Sequence, residues 1–238
     1  MRKDVLEMIG IIGALDIEIE RLIAQMEAPV RREISGVPFA CGRLMGSDVV
    51  LARAGVGKVN AAVCAQAMAL VYEPQLVINT GVSGALSPEL RVGDVVVGTD
   101  VVQHDVDTSA LGEPVGFVST VDRLSFPLDN FASTAIAAAA EELGIRAVRG
   151  RIASGDQFVA STARKEEIVR LFSAVTCEME AGAIAHVCFL NRIPCAVIRS
   201  ISDGGNEEAP MSYEEFLPLA AKNSAELTLA YLKSLENL

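Results

Sequence analysis

The sequence alternates short β-branched runs with longer segments in which alanine and leucine recur at helical spacing. This alternation is typical of an α/β protein, in which helices cover a central sheet. Predicted strands cover residues 9–14, 39–44, 49–54, 76–80, 94–103, 147–154 and 195–200. Predicted helices cover residues 17–25, 59–71, 129–143, 163–171, 181–190 and 213–235. Because no repeat, low-complexity tract or linker divides the chain, residues 1–238 are predicted to form a single domain.

Charge and hydropathy exclude several classes of partner. The formal net charge of −11 argues against binding to nucleic acid, which requires basic stripes, and against binding to anionic membrane surfaces. Although 51% of the residues are hydrophobic, no apolar run is long enough to span a bilayer. No export signal is recognisable, which predicts a cytoplasmic protein. A small ligand in an enclosed pocket suits this composition best.

The spacing of cysteines and histidines predicts no metal site. No two of the five cysteines form a C-x-x-C pair, so buried, reduced thiols are expected. The two histidines, His104 and His186, stand at no recognised zinc-ligand spacing from those cysteines. We therefore expect neither a metal nor another cofactor.

Three glycine-containing segments invite nucleotide-binding interpretations. Residues 10–13 (GIIG) lack the G-x-G-x-x-G pattern of dinucleotide-binding folds, and a plain strand-to-helix turn explains them. Residues 55–58 (GVGK) resemble half of a phosphate loop but lack its leading glycine and its final Ser or Thr. We predict instead a tight turn whose backbone amides face a pocket. Residues 79–85 (NTGVSGA) follow a strand and permit close approach of a ligand, or form a simple turn.

Acidic residues stand at the starts of helices and the end of a strand. Glu18 lies in the first turn of a predicted helix, where complementing the helix dipole is an alternative to catalysis. Glu178 and Glu180 precede a helix of small apolar residues, which predicts enclosed carboxylates, with helix capping as the alternative. Asp203 follows a buried strand with Ser202 beside it, so it serves acid chemistry or a strained turn.

Taken together, these segments resemble the bacterial 5′-methylthioadenosine/S-adenosylhomocysteine nucleosidases of the nucleoside phosphorylase-like superfamily. The resemblance extends over nearly the whole chain, and its eight motifs occur in order. They are residues 10–14 through Glu18, 55–59, 79–81, 92–94, 104–107, 154–158, 178–181 and 201–203. It implies a nucleoside phosphorylase-like α/β fold, with a mixed central sheet flanked by helices, and a homodimer.

The resemblance also implies catalytic roles. Glu18 would activate the attacking water with help from Arg199. Asp203 would protonate N7 of adenine, with Ser202 nearby. Adenine leaves poorly as an anion, so acid assistance lowers the barrier, and carboxylates stabilise the oxocarbenium-like sugar. Asp203 should therefore start protonated and Glu18 ionised, which requires environments that separate their pKa values.

Further residues would bind the adenine nucleoside. By the same resemblance, Glu180 would hold the ribose hydroxyls, with Met179 beneath the sugar and Glu178 supporting the site. Phe158 would stack on the purine, and the backbone around Val159 would read its Watson–Crick edge.

Two residues depart from the family pattern. Val82 replaces a serine, which removes a hydroxyl near the sugar, and Tyr213 replaces a common phenylalanine, which adds a phenol near the 5′ substituent. Both concern the rate and the 5′ preference. Phosphorylases of this superfamily carry an arginine in the neighbourhood where Asn79 stands, and Val82 removes a phosphate-binding hydroxyl. The pattern therefore favours water as the nucleophile.

Three alternative functions stay open on the sequence alone. Two are enzymes of the same fold, a purine nucleoside phosphorylase and a futalosine-type hydrolase. The third is a non-catalytic nucleoside-binding protein, against which the combination of Glu18, Glu180, Arg199 and Asp203 argues.

Overall fold

A computed structural model describes residues 8–235, which form ten strands and six α-helices. The strands are β1 Ile9–Gly13, β2 Glu27–Ile34, β3 Val37–Leu44, β4 Ser47–Arg53, β5 Leu76–Ala85, β6 Val95–Gln103, β7 Ser125–Pro127, β8 Ala147–Ser154, β9 Thr176–Glu178 and β10 Cys195–Asp203. The helices are α1 Asp16–Ala24, α2 Lys58–Tyr72, α3 Asn130–Glu142, α4 Thr162–Phe172, α5 Ala181–Asn191 and α6 Ala209–Leu235. Residues 1–7 and 236–238 of the predicted domain lie outside the described residues.

All ten strands belong to one mixed sheet, in the order β10-β6-β8-β9-β5-β1-β4-β3-β2, with β7 beside β6. β1 runs parallel to both β4 and β5, whereas β2, β3 and β4 are antiparallel. β10 pairs with both β5 and β6, so β5, β9, β8, β6 and β10 close into a ring of hydrogen-bonded neighbours. Closure brings β5, β9 and β10 close together, and their cavity-facing residues supply part of the candidate site.

Helices bury both faces of the sheet. One apolar core joins α2 and α5 to the sheet through residues such as Met68 and Ile184. A second core joins α1, α3 and α6 to the other face, with Leu22, Ile136 and Tyr231 among its members. Because both faces are covered, β1 and β10 are buried along their whole lengths and read as continuous apolar runs. The fold class predicted from the sequence, a mixed sheet flanked by helices, is confirmed.

The structure corrects several predicted boundaries. β5 extends to Ala85 and β10 to Asp203, beyond their predicted ends at residues 80 and 200, because these strands stay paired as far as Gly84 and Asp203. α6 begins at Ala209, one turn before the predicted start at residue 213. The strands β2, β7 and β9 were not predicted. No helix among residues 8–235 is long and apolar enough to cross a membrane.

Candidate active site

A cavity opens where β5, β9 and β10 meet the loop after β1 and the loop after β8. Every binding or catalytic residue predicted from the sequence lines it except Arg199. The lining residues are Ala14, Leu15, Glu18, Val56, Val82, Ser83, Gly84, Gln157, Phe158, Val159, Cys177, Glu178, Met179, Glu180, Ser202, Asp203 and Tyr213. Val82 and Ser202 lie within strands, Asp203 and Glu178 are the last residues of β10 and β9, and the other predicted site residues in the cavity lie outside the strands.

Glu18 is held by three backbone amides. Its Oε2 accepts hydrogen bonds from the amides of Ala14 at 2.7 Å and Leu15 at 2.9 Å, and its Oε1 accepts one from Val82 at 3.1 Å. The bond from Leu15 caps α1, so Glu18 both stabilises the start of this helix and lines the cavity. A Cβ on Gly81 would lie 2.6 Å from Oε1, which explains why a glycine stands there.

Asp203 lies at the opposite side of β5 from Glu18. Its Oδ1 accepts a hydrogen bond from the amide of Gly205 at 2.9 Å, and its Oδ2 lies 2.9 Å from the hydroxyl of Ser202. That hydroxyl is also 3.3 Å from the carbonyl oxygen of Ser83. Since a serine has one hydroxyl proton, a protonated Asp203 can donate to Ser202 while Ser202 donates to Ser83.

Arg199 is fully buried and pairs with Glu178. Its Nη2 donates to Glu178 Oε2 at 2.5 Å and to the side-chain oxygen of Asn79, and its Nη1 donates to the carbonyls of Ile198 and Asn79. Burial disfavours the charged form of Arg199, but the nearby carboxylates, Glu178 first, outweigh it and raise the pKa. No hydrogen bond joins Arg199 to Glu18 among the described residues, so its influence on Glu18 is through its charge.

The sequence suggested either helix capping or ligand binding for Glu178 and Glu180. In the structure the side chain of Glu178 caps a helix, whereas that of Glu180 does not. Glu178 Oε2 accepts from the amides of Glu180 at 3.0 Å and Ala181 at 2.8 Å, which caps α5. Its Oε1 is buried without a hydrogen-bond partner in the described residues. Glu180 Oε1 accepts from the amide of Gly57 at 2.8 Å, so an amide of the 55–58 turn faces the site, as predicted.

Aromatic residues border the cavity mouth. The rings of Phe158 and Tyr213 meet edge to face, with centroids 5.5 Å apart and planes at 80°. Phe158 is 46% exposed, whereas Val159 beside it is buried. Met179 is half-buried between Glu178 and Glu180.

Burial raises the pKa of all three carboxyls that face the cavity from β10, α1 and the start of α5. The pKa of Glu18 and that of Asp203 are both raised by desolvation, and that of Glu180 is raised to about 8 by desolvation and by the charge of Glu178. Burial therefore does not separate an ionised Glu18 from a protonated Asp203, and the difference between the two groups lies in their hydrogen bonds. Glu18 accepts only from N–H groups, which cannot accept a proton, whereas Asp203 faces a hydroxyl that can.

The raised pKa of Glu180 gives a stability prediction. The folded state holds a proton on Glu180 between about pH 4.5 and 8, whereas the unfolded state has lost it, so the free energy of unfolding falls as pH rises through this window. Glu180→Gln does not titrate and keeps an acceptor for Gly57. Its melting temperature, measured by calorimetry, should exceed the native value by a margin that widens from pH 5 to pH 8. The corresponding difference in free energy of unfolding should grow by at most about 1.4 kcal/mol per pH unit.

The matched control is Glu214→Gln, which changes an exposed glutamate on the helix that carries Tyr213. Its offset in melting temperature should stay constant across the same range. A constant offset for Glu180→Gln as well would contradict the raised pKa.

The cavity lining is acidic. It carries four carboxyl groups, those of Glu18, Glu178, Glu180 and Asp203, and among the described residues no lysine, arginine or histidine lines it. Across residues 8–235, no group of three or more His, Cys, Asp or Glu side chains is arranged to hold a metal ion. A site of this charge accommodates a developing cation far better than an anion.

Comparison with known proteins agrees with this geometry. A family model described as the phosphorylase superfamily matches residues 8–233. A protein of Halalkalibacterium halodurans named 5′-methylthioadenosine/S-adenosylhomocysteine nucleosidase is 41% identical over 223 residues, which cover 93% of this chain and 96% of the relative. The chain belongs to this nucleosidase family.

Solved structures show the same fold for other members of the superfamily. The 5′-methylthioadenosine/S-adenosylhomocysteine nucleosidase of Neisseria meningitidis, in complex with methylthio-immucillin-A, aligns with a TM-score of 0.93 and 39% identity, over 96% of this chain and 100% of that one. The futalosine hydrolase of Helicobacter pylori aligns with a TM-score of 0.92 and 34% identity, over 96% of this chain and 98% of that one. Both the predicted family and the predicted fold are confirmed.

Sequence analysis of this nucleosidase-family chain missed several residues at the site. Asn79, which binds Arg199, was predicted as part of the 79–85 segment and as the residue that stands where phosphorylases carry an arginine, but not as a partner of Arg199. A buried amide within an apolar strand could have signalled a polar partner nearby. Ser83 and Gly84 also line the cavity; they belong to the 79–85 segment predicted to permit close approach of a ligand, but neither was assigned a role of its own. Cys177 lines it too, and no spacing in the sequence distinguishes this residue from an ordinary strand residue.

Proposed function

We propose that this protein hydrolyses the N-glycosidic bond of 5′-methylthioadenosine and S-adenosylhomocysteine, and of the related 5′-deoxyadenosine, to release adenine. The observation that carries the proposal is the cavity itself, with four carboxyl groups and no lining cation among the described residues. The carboxyl groups that are ionised stabilise a positively charged, oxocarbenium-like ribosyl group. The lining offers phosphate no cationic partner, so water is the nucleophile.

Asp203 is the general acid in this proposal. It starts protonated, donates to Ser202, and turns its proton to N7 of adenine as the glycosidic bond breaks. Burial, which raises the pKa of Asp203, supports this starting state, and Ser202 Oγ lies 2.9 Å from Asp203 Oδ2, within reach of a donated hydrogen bond. The electron pair of the bond then leaves on a neutral base.

Glu18 is the general base for the attacking water. Three amide donors favour its ionised form against the burial that raises its pKa, and they fix its direction. Arg199 is a positioning residue, because its guanidinium binds Glu178 and contributes charge near Glu18. Water attacks the anomeric carbon as Glu18 takes its proton.

The remaining residues bind the nucleoside. Glu180 accepts from the ribose hydroxyls, Glu178 supports the site beside it, and Met179 lies under the sugar. Phe158 stacks on the purine, and the backbone near Val159 meets the Watson–Crick edge. Val82 and Tyr213 border the 5′ end of the ribose.

We further propose that the protein is a homodimer located in the cytoplasm. On α2, Val59, Val63 and Leu70 form one outward stripe, in which Val59 is 74% and Leu70 69% exposed. An exposed apolar stripe on a helix suits a subunit interface. The five cysteines are free, which suits a reducing compartment. Sedimentation velocity should give about twice the chain mass of 25.1 kDa, and a monomer at micromolar concentration would contradict the dimer.

A substrate panel tests the proposed activity. The purified protein is mixed separately with 5′-methylthioadenosine, S-adenosylhomocysteine, 5′-deoxyadenosine and futalosine, and the free base is quantified by liquid chromatography. The proposal predicts adenine from the first three. Release of base from futalosine alone would favour the futalosine-type alternative, to which the Helicobacter pylori structure lends weight. Adenine binding without release from any substrate would favour a non-catalytic binding protein.

A further inference from the structure

Lys58 ends the GVGK turn at residues 55–58, and the proposed mechanism leaves this residue without a role. It is the first residue of α2 and does not line the cavity. Its Nζ donates to Asp105 Oδ1 at 2.6 Å and to Gln103 Oε1 at 3.2 Å. The ammonium group therefore binds the segment at the end of β6. As a result, the 55–58 turn presents no free cation to a phosphate.

Two further hydrogen bonds join a third segment to these two. Asp105 Oδ2 accepts a hydrogen bond from the amide of Asp156 at 2.8 Å, and Asp156 Oδ1 accepts one from the amide of Lys58 at 2.7 Å. Lys58, Asp105 and Asp156, here called the clasp, therefore form a closed cycle. It ties the start of α2, the segment after β6 and the loop after β8 to one another.

Two members of the clasp, Lys58 and Asp156, stand close in sequence to residues of the cavity. Gly57, directly before Lys58, donates its amide to Glu180 Oε1 at 2.8 Å. Phe158 and Val159 follow Asp156 by two and three residues and form the proposed wall against the base. A shift in the clasp would therefore move the amide that holds Glu180 and the wall of the base pocket together.

Within the clasp, the Lys58–Asp105 ion pair is shielded from solvent, whereas Asp156 is exposed. The side chains of Lys58 and Asp105 are each 17% exposed, so solvent screens their pairing less than it screens a surface ion pair. Burial acts to raise the pKa of Asp105, but the hydrogen bonds from Lys58 and from the Asp156 amide outweigh it and lower that pKa. Asp105 is therefore ionised and accepts both bonds at once.

We infer that Lys58 and Asp105 are positioning residues for nucleoside cleavage, because their ion pair sets Glu180 and the Phe158–Val159 wall at the spacing that the substrate requires. This inference rests on the proposed function. Small displacements of groups that orient a substrate reduce rates strongly, even where the displaced residue lies away from the reacting atoms.

The test compares Lys58→Met, Asp105→Asn and the double variant with the native protein. Three quantities are measured: kcat/KM for 5′-methylthioadenosine, Kd for adenine by calorimetry, and the melting temperature. Each single variant should lower kcat/KM by about tenfold to a hundredfold and weaken adenine binding. The double variant should lose no more kcat/KM than the more impaired of the two single variants, because both changes break the same ion pair. Lys58→Arg should recover part of the loss.

Lys222→Met is the matched control, since it removes a lysine from an exposed pair with Glu226 and should leave all three quantities near native values. If Lys58→Met keeps kcat/KM and adenine Kd within about twofold of native while only the melting temperature changes, the inference is wrong. Fully additive losses in the double variant would also overturn it. If the native protein releases no adenine, the proposed function fails, and adenine Kd alone then decides whether the clasp shapes the base pocket.

Discussion

Asp203→Asn should lower kcat for adenine release by about two to four powers of ten while leaving the fold and KM close to native. The asparagine oxygen can accept from the amide of Gly205, as Asp203 Oδ1 does, and its NH₂ group can donate to Ser202. Asparagine therefore reproduces the hydrogen bonds of a protonated Asp203. It cannot give up a proton to N7, so the chemical step alone is affected.

Steady-state kinetics with 5′-methylthioadenosine measure this effect. The control is Asp122→Asn, which makes the same change at an exposed, left-handed residue far along the chain from β10. Asparagine tolerates that backbone conformation, so the control should retain native kcat. A kcat for Asp203→Asn within about tenfold of native would rule out Asp203 as the acid.

Glu18→Gln should reduce kcat by a comparable factor, about two to four powers of ten, and spare adenine binding. The variant removes the carboxylate that accepts the proton of the attacking water. Glutamine also replaces one carboxylate oxygen by an NH₂ group beside amides that can only donate. Calorimetric Kd for adenine is therefore measured with kcat, to establish that the cavity keeps its shape.

Glu20→Gln is the control for this experiment. Glu20 lies two residues further along α1 and is exposed, so its loss should change neither kcat nor adenine Kd. Substantial residual turnover in Glu18→Gln, with native adenine affinity, would assign water activation to another group.

The order of strands and helices was largely predictable because both faces of this sheet are buried. Buried parallel strands such as β1 appear as apolar runs, and α2 or α3 as long alanine-rich segments. β2 was missed because seven of its eight residues are exposed, so it has no alternating pattern. β9 has only three residues, which are too few to show an alternating pattern.

The extensions of β5 and β10 were missed for a different reason. Gly81, Gly84 and Asp203 have poor strand propensity, so the sequence indicates that both strands end early. Pairing between β5 and β10 overrides this propensity. Glycine at these positions in fact makes room for the carboxylates, since a Cβ on Gly84 would lie 2.7 Å from Asp203 Oδ1.

The residue types of the site could be predicted, but their contacts could not. Resemblance to a family selected ten residues that line one cavity. It also selected Arg199, which does not line the cavity. The pairing of Arg199 with Glu178 and Asn79 depends on the register between β10, β5 and β9, which no local pattern encodes. The clasp likewise joins residues that are 47 and 98 positions apart.

The most direct test of the proposed account follows adenine release from 5′-methylthioadenosine in buffer free of phosphate and again with saturating phosphate, with the sugar product identified by mass spectrometry. An acidic cavity without a lining cation predicts equal rates in both buffers and free methylthioribose as the product. Release that requires phosphate and yields a sugar 1-phosphate would contradict hydrolysis and make the protein a phosphorylase.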